Sequence, residues 1–158
     1  MHYERLEPRH DAALAALIRE NLKAHGLDIP GTVYFDAGLD HLSDFYGADP
    51  GSRAYFVLMD GEALVGGIGL AEFPDLPGCA ELQKLYLADR VKGRGLGYAL
   101  IDRVEQEARR LGYRQIYLET HTNLQAAIHI YERAGYREIP RPESVVHSTM
   151  NKFYIKSI

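Results

Sequence analysis

The hydrophobic positions along the chain change their period several times, and each change predicts a new element. Over residues 96–111, apolar side chains recur every three or four positions, which predicts an amphipathic helix. The shorter run Gln115–Thr120 alternates in steps of two, which predicts a buried strand. Asp60-Gly61 stands between two further apolar runs and predicts a tight hairpin turn.

The same analysis predicts the element order β-α-α-β-β-β-α-β-α-β-β. A first helix begins near Pro8, a short second helix is expected over residues 36–46, and a last helix over residues 123–134. A polar loop at residues 143–150 separates the two closing strands. This order predicts an α/β fold around a mixed sheet. At 158 residues we expect one domain spanning residues 1–158.

Two of the predicted strands are irregular. The third contains Gly66, Gly67 and Gly69, which indicates either the close approach of another group or a local bulge. In the fourth strand, Leu82 is followed by Leu85, a step of three that breaks the two-residue alternation. Such a shift is typical of a β-bulge, in which one strand gains an extra residue.

Three alternate glycines, Gly93, Gly95 and Gly97, stand between the fourth strand and the amphipathic helix. Glycines permit a tight turn, and the helix start adds unpaired N–H groups and the positive end of the helix dipole. Lys92 and Arg94 add positive side chains to the same loop. The pattern therefore predicts a site for an anion, most simply a phosphate or pyrophosphate.

The glycine spacing limits which phosphate site this is. A dinucleotide fingerprint requires glycine or alanine at position 98, where the chain has Tyr98, and the Gly-Lys-Ser/Thr of a Walker loop is absent. What remains is K-x-x-G-x-G beginning at Lys92, or R-x-x-G-x-G beginning at Arg90. A simple glycine-rich turn into a helix is the alternative interpretation.

Composition narrows the possible partners. The net charge of −4 argues against nucleic-acid binding, and no apolar run approaches the length of a membrane helix. A single cysteine, Cys79, excludes an internal disulfide, and the polar start of the chain does not look like a signal peptide. We therefore expect a cytoplasmic protein without membrane or nucleic-acid partners. No metal-binding motif is present among the seven histidines.

A second motif makes the family resemblance specific. The segment NLQAAIHIYERAGY, residues 123–136, resembles the N-x-x-A-x-x-L-Y-E-x-x-G-F/Y motif of the GNAT acetyltransferases. The glycine loop resembles the coenzyme A loop of that family, Q/R-x-x-G-x-G/A, with Lys92 at its first position. The resemblance implies a central, mostly antiparallel twisted sheet that is splayed between strands 4 and 5 and flanked by about four helices.

The resemblance implies that an acetyl group moves from acetyl-CoA to a primary amine of a small molecule or peptide, by direct attack in a ternary complex without a metal. The coenzyme would be held by backbone groups of the fourth strand and by the glycine loop. The implied residues are Leu85, Tyr86, Leu87, Lys92, Gly93, Arg94, Gly95, Leu96, Gly97, Tyr98 and Asn123. Asn123 lies one residue earlier than the family's asparagine, and a helix N-cap is its alternative role.

The resemblance also indicates which groups move protons. Tyr131 matches the family's tyrosine that protonates the departing thiolate. Because the amine arrives mostly protonated, a proton acceptor is needed, and Glu81 and Glu119 are the candidates, with His121 as a third. On the substrate side, the candidates are Tyr34, Phe35, His121 and His147. The aspartates Asp36, Asp40 and Asp44 either face a cationic amine or form a solvated helix face.

Two other functions remain open from the sequence. One is a non-catalytic acyl-CoA-binding or sensing domain on the same fold, which would need the glycine loop but not Tyr131. The other is a nucleotide-phosphate binder without acyl chemistry. The sequence identifies no particular acceptor amine, and a homodimer is an expectation from the family alone.

Overall fold

A computed structural model describes residues 1–145 and 148–158. Its seven strands form one mixed sheet in the order β1-β2-β3-β4-β5-β7-β6, in which only the β4–β5 pair is parallel. The strands are β1 His2–Arg5, β2 Ala54–Asp60, β3 Ala63–Glu72, β4 Cys79–Leu87, β5 Gln115–Thr120, β6 Arg137–Ile139 and β7 Lys152–Ser157. The helices are α1 Asp11–Ala24, α2 Leu42–Gly47, α3 Leu96–Arg110 and α4 Gln125–Arg133. The predicted element order and mixed sheet are confirmed.

The helices cover both faces of the sheet. On one face, α3 and α4 place Leu100, Val104 and Ile128 against Ile68 of β3. On the other face, α1 and α2 bury a separate core, whose members include Leu14, Ile18, Leu42, Tyr46, Tyr55 and Val57. Neighbouring residues of β2 divide between the two cores, as the two-residue period of a strand requires.

Two predicted helix starts differ from the structure. The predicted helix over residues 36–46 is a 3-10 turn at Leu39–His41 followed by the short α2. The N-cap of α4 is Leu124, so the alternative role of Asn123 as the helix cap is wrong. The Asn123 side-chain amide instead donates to the carbonyl of His25 at 3.0 Å, at the end of α1. A tertiary contact has therefore taken the side chain that the sequence pattern assigned to a local cap.

The glycines of β3 make room for two tyrosine rings. A Cβ on Gly67 would lie 2.5 Å from the Tyr55 ring, and one on Gly69 would lie 2.6 Å from both Tyr46 and Tyr55. The close approach that these glycines predicted is therefore made by aromatic side chains. It allows both rings to pack against β3, from where their hydroxyl groups reach β4.

The same tyrosines stabilise a β-bulge in β4. Gly67 of β3 faces Tyr86 and Gly69 faces Gln83, so two residues of β4, Lys84 and Leu85, occupy the space opposite one residue of β3. Lys84 has a φ of 53°, which a non-glycine residue rarely adopts. The Tyr55 hydroxyl donates to the Lys84 carbonyl at 2.8 Å and holds this backbone in place. The predicted bulge is confirmed.

The sheet opens between β4 and β5. The two strands pair only through Cys79, Ala80 and Glu81, which face residues 115–117, and then diverge. The rest of β4 therefore has no neighbouring strand on its β5 side in the described part of the chain. This opening is the splay that the family resemblance implied.

We expect Gly67→Ala and Gly69→Ala to destabilise the protein by about 1–3 kcal/mol each, because the new methyl group would collide with the tyrosine rings. The measurement is the free energy of unfolding in urea. Gly38→Ala is the matched control, since no atom lies within 4 Å of its Cβ position and its φ is −85°. Equal stabilities of all three variants would contradict this account of the β3 glycines.

Candidate active site

The splay between β4 and β5 opens into a cavity of about 630 Å³. Its walls come from the diverging strands, the glycine loop, the first turn of α3 and one face of α4. The far side is closed by the end of α1, the α1–α2 loop and the loop between β6 and β7. One continuous space therefore joins the glycine loop to the two candidate carboxylates.

The glycine loop forms the end of the cavity that favours an anion. Gly93 and Gly95 have φ values of 74° and 75°, in the left-handed region that glycine adopts without strain. Gly95 is the N-cap of α3, so the N–H groups of the next residues have no acceptor within the helix. Gly97 serves a different purpose, since its Cβ would lie 2.8 Å from the Ile130 side chain of α4. Gly93 and Gly95 are therefore explained by their backbone conformation, and Gly97 by the close packing of α4.

The basic side chains distinguish the two possible registers of the loop. Lys92 lines the cavity while donating to Asp89 at 2.6 Å. Arg90 points toward the β2–β3 hairpin, where it donates to Asp60 at 2.8 Å. The frame that begins at Lys92 therefore places its cation at the cavity. Arg94 is exposed and is not among the cavity-lining residues.

Tyr131 lies on the face of α4 that borders the cavity. The side chain is buried, and no described residue hydrogen-bonds to its hydroxyl. Burial raises the pKa of Tyr131, and the neighbouring Tyr86 adds to the rise. The hydroxyl therefore stays protonated at neutral pH and is a proton donor.

Glu81 and Glu119 lie on the two strands that diverge, and both line the cavity. Glu81 faces Tyr117 in the β4–β5 register, and the Tyr117 hydroxyl donates to Glu119 at 2.9 Å. Burial raises the pKa of Glu81, and the negative charge of Glu119 adds to the rise, although the Gln83 amide opposes it. The charge of Glu119 therefore acts on Glu81 across the opening of the sheet.

A chain of hydrogen bonds orients Glu81, and the sequence analysis did not include its members. The Tyr46 hydroxyl donates to the Gln83 side-chain oxygen at 2.7 Å, which turns the Gln83 amide nitrogen toward Glu81 at 2.5 Å. The one available signal was that Gln83 follows Glu81 by two positions, on the same face of the strand. No sequence pattern indicated Tyr46, because α2 and β4 are distant in sequence and meet only in the folded structure.

The outer wall of the cavity joins two loops that are distant in sequence. The Thr149 hydroxyl donates to the carbonyl of Gly31 at 3.0 Å, and the Ser148 hydroxyl donates to Glu119 at 3.1 Å. Asp36 lines the cavity from the α1–α2 loop, whereas Asp40 is held by a two-pronged contact with Arg19. Asp44 is exposed on α2, so the three aspartates that the sequence grouped together have separate surroundings.

The predicted substrate-side residues lie less centrally. Tyr34 and Phe35 stack edge to face next to the cavity-lining Val33, but neither is among the lining residues, and Phe35 is 61% exposed. The His121 ring accepts a hydrogen bond from the Asn123 backbone, and neither of these residues lines the cavity. His147 lies outside the described residues. These assignments stay predictions.

The sequence profile described as the acetyltransferase (GNAT) family matches residues 16–136. The chain belongs to the GNAT acetyltransferase family. Its GNAT motifs, the glycine loop and the Tyr131 segment, both border the cavity described above.

Proteins named as acetyltransferases resemble the chain over most of its length. The uncharacterized N-acetyltransferase YjgM of Escherichia coli is 34% identical over 137 residues, which are 85% of this chain and 81% of that protein. A GNAT acetyltransferase from Staphylococcus aureus has a TM-score of 0.86 at 20% identity and covers 99% of this chain and 98% of its own. PaiA N-acetyltransferase from Thermoplasma acidophilum, solved in complex with coenzyme A, has a TM-score of 0.77 at 18% identity, with full coverage of both chains. These structures show the fold.

Two kinds of feature are absent from residues 1–145 and 148–158. No group of three or more histidine, cysteine, aspartate or glutamate side chains is arranged to hold a metal ion. No helix there combines the length and the apolar character needed to cross a membrane.

We expect the Glu81 carboxyl to titrate above the usual glutamate range, because it is buried beside Glu119. Glu119→Gln removes the neighbouring negative charge and should lower the pKa of Glu81. Carboxyl-carbon NMR across a pH titration measures the pKa of Glu81 in the wild type and in Glu119→Gln. Glu62→Gln, in the exposed β2–β3 turn, is the control that should leave Glu81 unchanged. An unaltered Glu81 pKa in Glu119→Gln would show that the two carboxylates do not interact.

Proposed function

We propose that the protein is an N-acetyltransferase that moves an acetyl group from acetyl-CoA to a primary amine by direct attack in a ternary complex. One observation carries the proposal: a single cavity connects an anion-binding helix start to a protonated tyrosine and to a pair of carboxylates. Family membership supports acetyl transfer. The coenzyme A bound to the Thermoplasma acidophilum PaiA protein supports the same donor here.

In this proposal, the pyrophosphate of the coenzyme lies against the N–H groups of residues 93–98, with Lys92 close by. Those groups, together with the dipole of α3, stabilise negative charge. The pantetheine arm lies along the β5 side of β4, where the strand has no neighbour, and pairs with Leu85, Tyr86 and Leu87 as an added strand does. Asn123 remains a candidate contact only if its bond to His25 is exchanged for one to the coenzyme.

The chemical step is an acyl transfer. The neutral amine nitrogen attacks the thioester carbonyl carbon, so that a C–N bond forms while the C–S bond breaks and its electron pair leaves with sulfur. An N–H group of the β4 bulge stabilises the negative charge that develops on the carbonyl oxygen. Tyr131 donates its proton to the departing thiolate, and a carboxylate accepts the proton that the nitrogen loses.

Glu81 and Glu119 are the proposed proton acceptors, directly or through water, with His121 as the outer alternative. A carboxylate accepts a proton only when ionised, and burial raises the pKa of Glu81. Activity that depends on Glu81 should therefore increase as pH rises through that elevated pKa. The raised pKa makes Glu81 a better base than an exposed carboxylate.

Cys79 supports the direct route over a covalent acyl-enzyme. Its thiol is buried at the start of β4, and burial raises its pKa to about 11. A thiol in that state is rarely ionised at neutral pH and is a poor nucleophile. The acetyl group is therefore proposed to pass straight from sulfur to nitrogen.

We expect Gly95→Ala to weaken coenzyme A binding, because a φ of 75° is strained for alanine and the N–H groups of the helix start depend on that turn. Gly112→Ala is a matched control at the other end of α3, with a φ of 91° and no atom near its Cβ position. Both variants should lose about 1–2 kcal/mol of folding free energy. In calorimetric titrations, only Gly95→Ala should lose affinity for coenzyme A. Equal affinities of the two variants for coenzyme A would argue against the glycine loop as the coenzyme site. Equal protection of the wild type against thermal unfolding by ADP and by coenzyme A would favour a nucleotide binder.

We expect Tyr131→Phe to lower kcat by roughly 100-fold or more with little change in the KM for acetyl-CoA, because the proton donor is lost while the ring is kept. The measurement is thiol release from acetyl-CoA in the presence of an amine. Tyr136→Phe is the control, since its ring packs 6.1 Å from that of Tyr131 and its buried hydroxyl bonds to no described residue. Unchanged turnover in Tyr131→Phe would remove its acid role. Coenzyme A binding without turnover for any amine would favour the sensing function.

A further inference from the structure

Lys84 occupies an unusual place in the cavity wall. It is the residue of the β4 bulge with a φ of 53°, and its carbonyl is held by the Tyr55 hydroxyl. A left-handed backbone at a non-glycine residue costs free energy and persists only where surrounding contacts impose it. Here the contacts come from Tyr55, which reaches β4 because Gly67 has no side chain. The fold thus fixes the backbone that carries this lysine.

The Lys84 side chain lines the cavity and is half-buried. Burial lowers the pKa of Lys84, although the charges of Asp36 and Glu81 oppose the shift. Each of these carboxylates acts from a distance, since within the described residues Lys84 forms no ion pair shorter than 4.0 Å. In contrast, Lys92, Lys152 and Lys156 each have a carboxylate in contact.

The cavity therefore presents charges of both signs to whatever enters it. Glu81 and Glu119 offer negative charge where the two strands part, while Lys84, three residues beyond Glu81 on β4, offers a positive charge. A half-buried ammonium group without a direct partner is costly, and a bound anion would relieve that cost. A diamine would bring a second positive charge toward Lys84. An acceptor with both an amine and a carboxylate would instead pair its amine with the two glutamates and its carboxylate with Lys84.

We propose that the acceptor is an amino acid, a small molecule with a primary amine and a carboxylate, and that Lys84 binds its carboxylate while Glu81 and Glu119 face its amine. This inference rests on the proposed acetyl transfer. Lys84 takes no part in making or breaking bonds. It is a specificity residue that selects which amine reaches the thioester. Asp40, which pairs with Arg19, and the exposed Asp44 contribute nothing to this selection.

The test compares amino acids with the amines that lack only the carboxylate. Suitable pairs are alanine with ethylamine, phenylalanine with phenethylamine, lysine with cadaverine, and γ-aminobutyrate with propylamine, so that α- and ω-amino acids are both sampled. We expect kcat/KM to favour at least one carboxylated member by roughly 10- to 100-fold, the range of one charge-assisted hydrogen bond. Lys84→Met should remove most of that preference by lowering kcat/KM for the carboxylated member of each pair.

Two further variants separate charge recognition from a structural role. Lys84→Arg keeps the positive charge and should keep much of the preference, whereas Lys23→Met, an exposed lysine at the end of α1, should change nothing. A binding measurement gives a readout that does not depend on turnover. With coenzyme A present, Lys84→Met should weaken the affinity for the N-acetylated amino acid but not for the N-acetylated amine.

The outcomes distinguish this inference from the function on which it rests. Transfer to amines with no preference for the carboxylated member, or with a preference that survives in Lys84→Met, overturns the amino-acid acceptor and leaves the transferase intact. Preference for cadaverine over lysine in the wild type, with no carboxylated member preferred in the other pairs, would point to a polyamine acceptor and overturn it as well. Absence of transfer to every compound, together with normal coenzyme A binding, overturns the proposed function and this inference together.

Discussion

The hydrogen bonding of β4 is the constraint on which the rest of the site depends. On its β3 side the strand is paired along most of its length, and on its β5 side it is paired only as far as Glu81. Beyond Glu81, the backbone groups on the β5 side of the strand face the cavity and have no strand to pair with. Buried N–H and C=O groups need hydrogen-bond partners. An extended ligand that supplies those partners would complete the sheet. The opening therefore defines the position and the direction of the proposed coenzyme arm.

The bulge in β4 is held by side chains of the core beneath α1 and α2. Two glycines in β3 let Tyr46 and Tyr55 lie against the strand, where Tyr55 binds the Lys84 carbonyl and Tyr46 orients Gln83. Through Gln83 the same arrangement reaches Glu81. The core beneath α1 and α2 thus sets both the backbone of the bulge and the orientation of a candidate base. Residues that never enter the cavity have a direct effect on its geometry.

The electrostatics of the cavity divide along its length. At the glycine loop, the helix start and Lys92 favour the negative charge of a phosphate group. Where the strands part, Glu81 and Glu119 favour a cation, and Lys84 in the bulge adds a charge of the opposite sign. Tyr131 lines the same cavity with a raised pKa, which suits a group that gives up a proton only as negative charge develops beside it.

The sequence by itself determined the element order, the glycine loop, the bulge and the family, because each depends on short-range patterns: periodicity, glycine spacing and motif residues. Only the tertiary structure decided where Asn123 binds, which aspartate lines the cavity, and that Lys84 forms no ion pair with the residues the structure describes. Those properties depend on contacts between distant segments, such as Asn123 with His25 and Arg19 with Asp40. The sequence does not show whether a charged residue of a strand is paired. That depends on which residues from distant segments lie next to it in the folded structure.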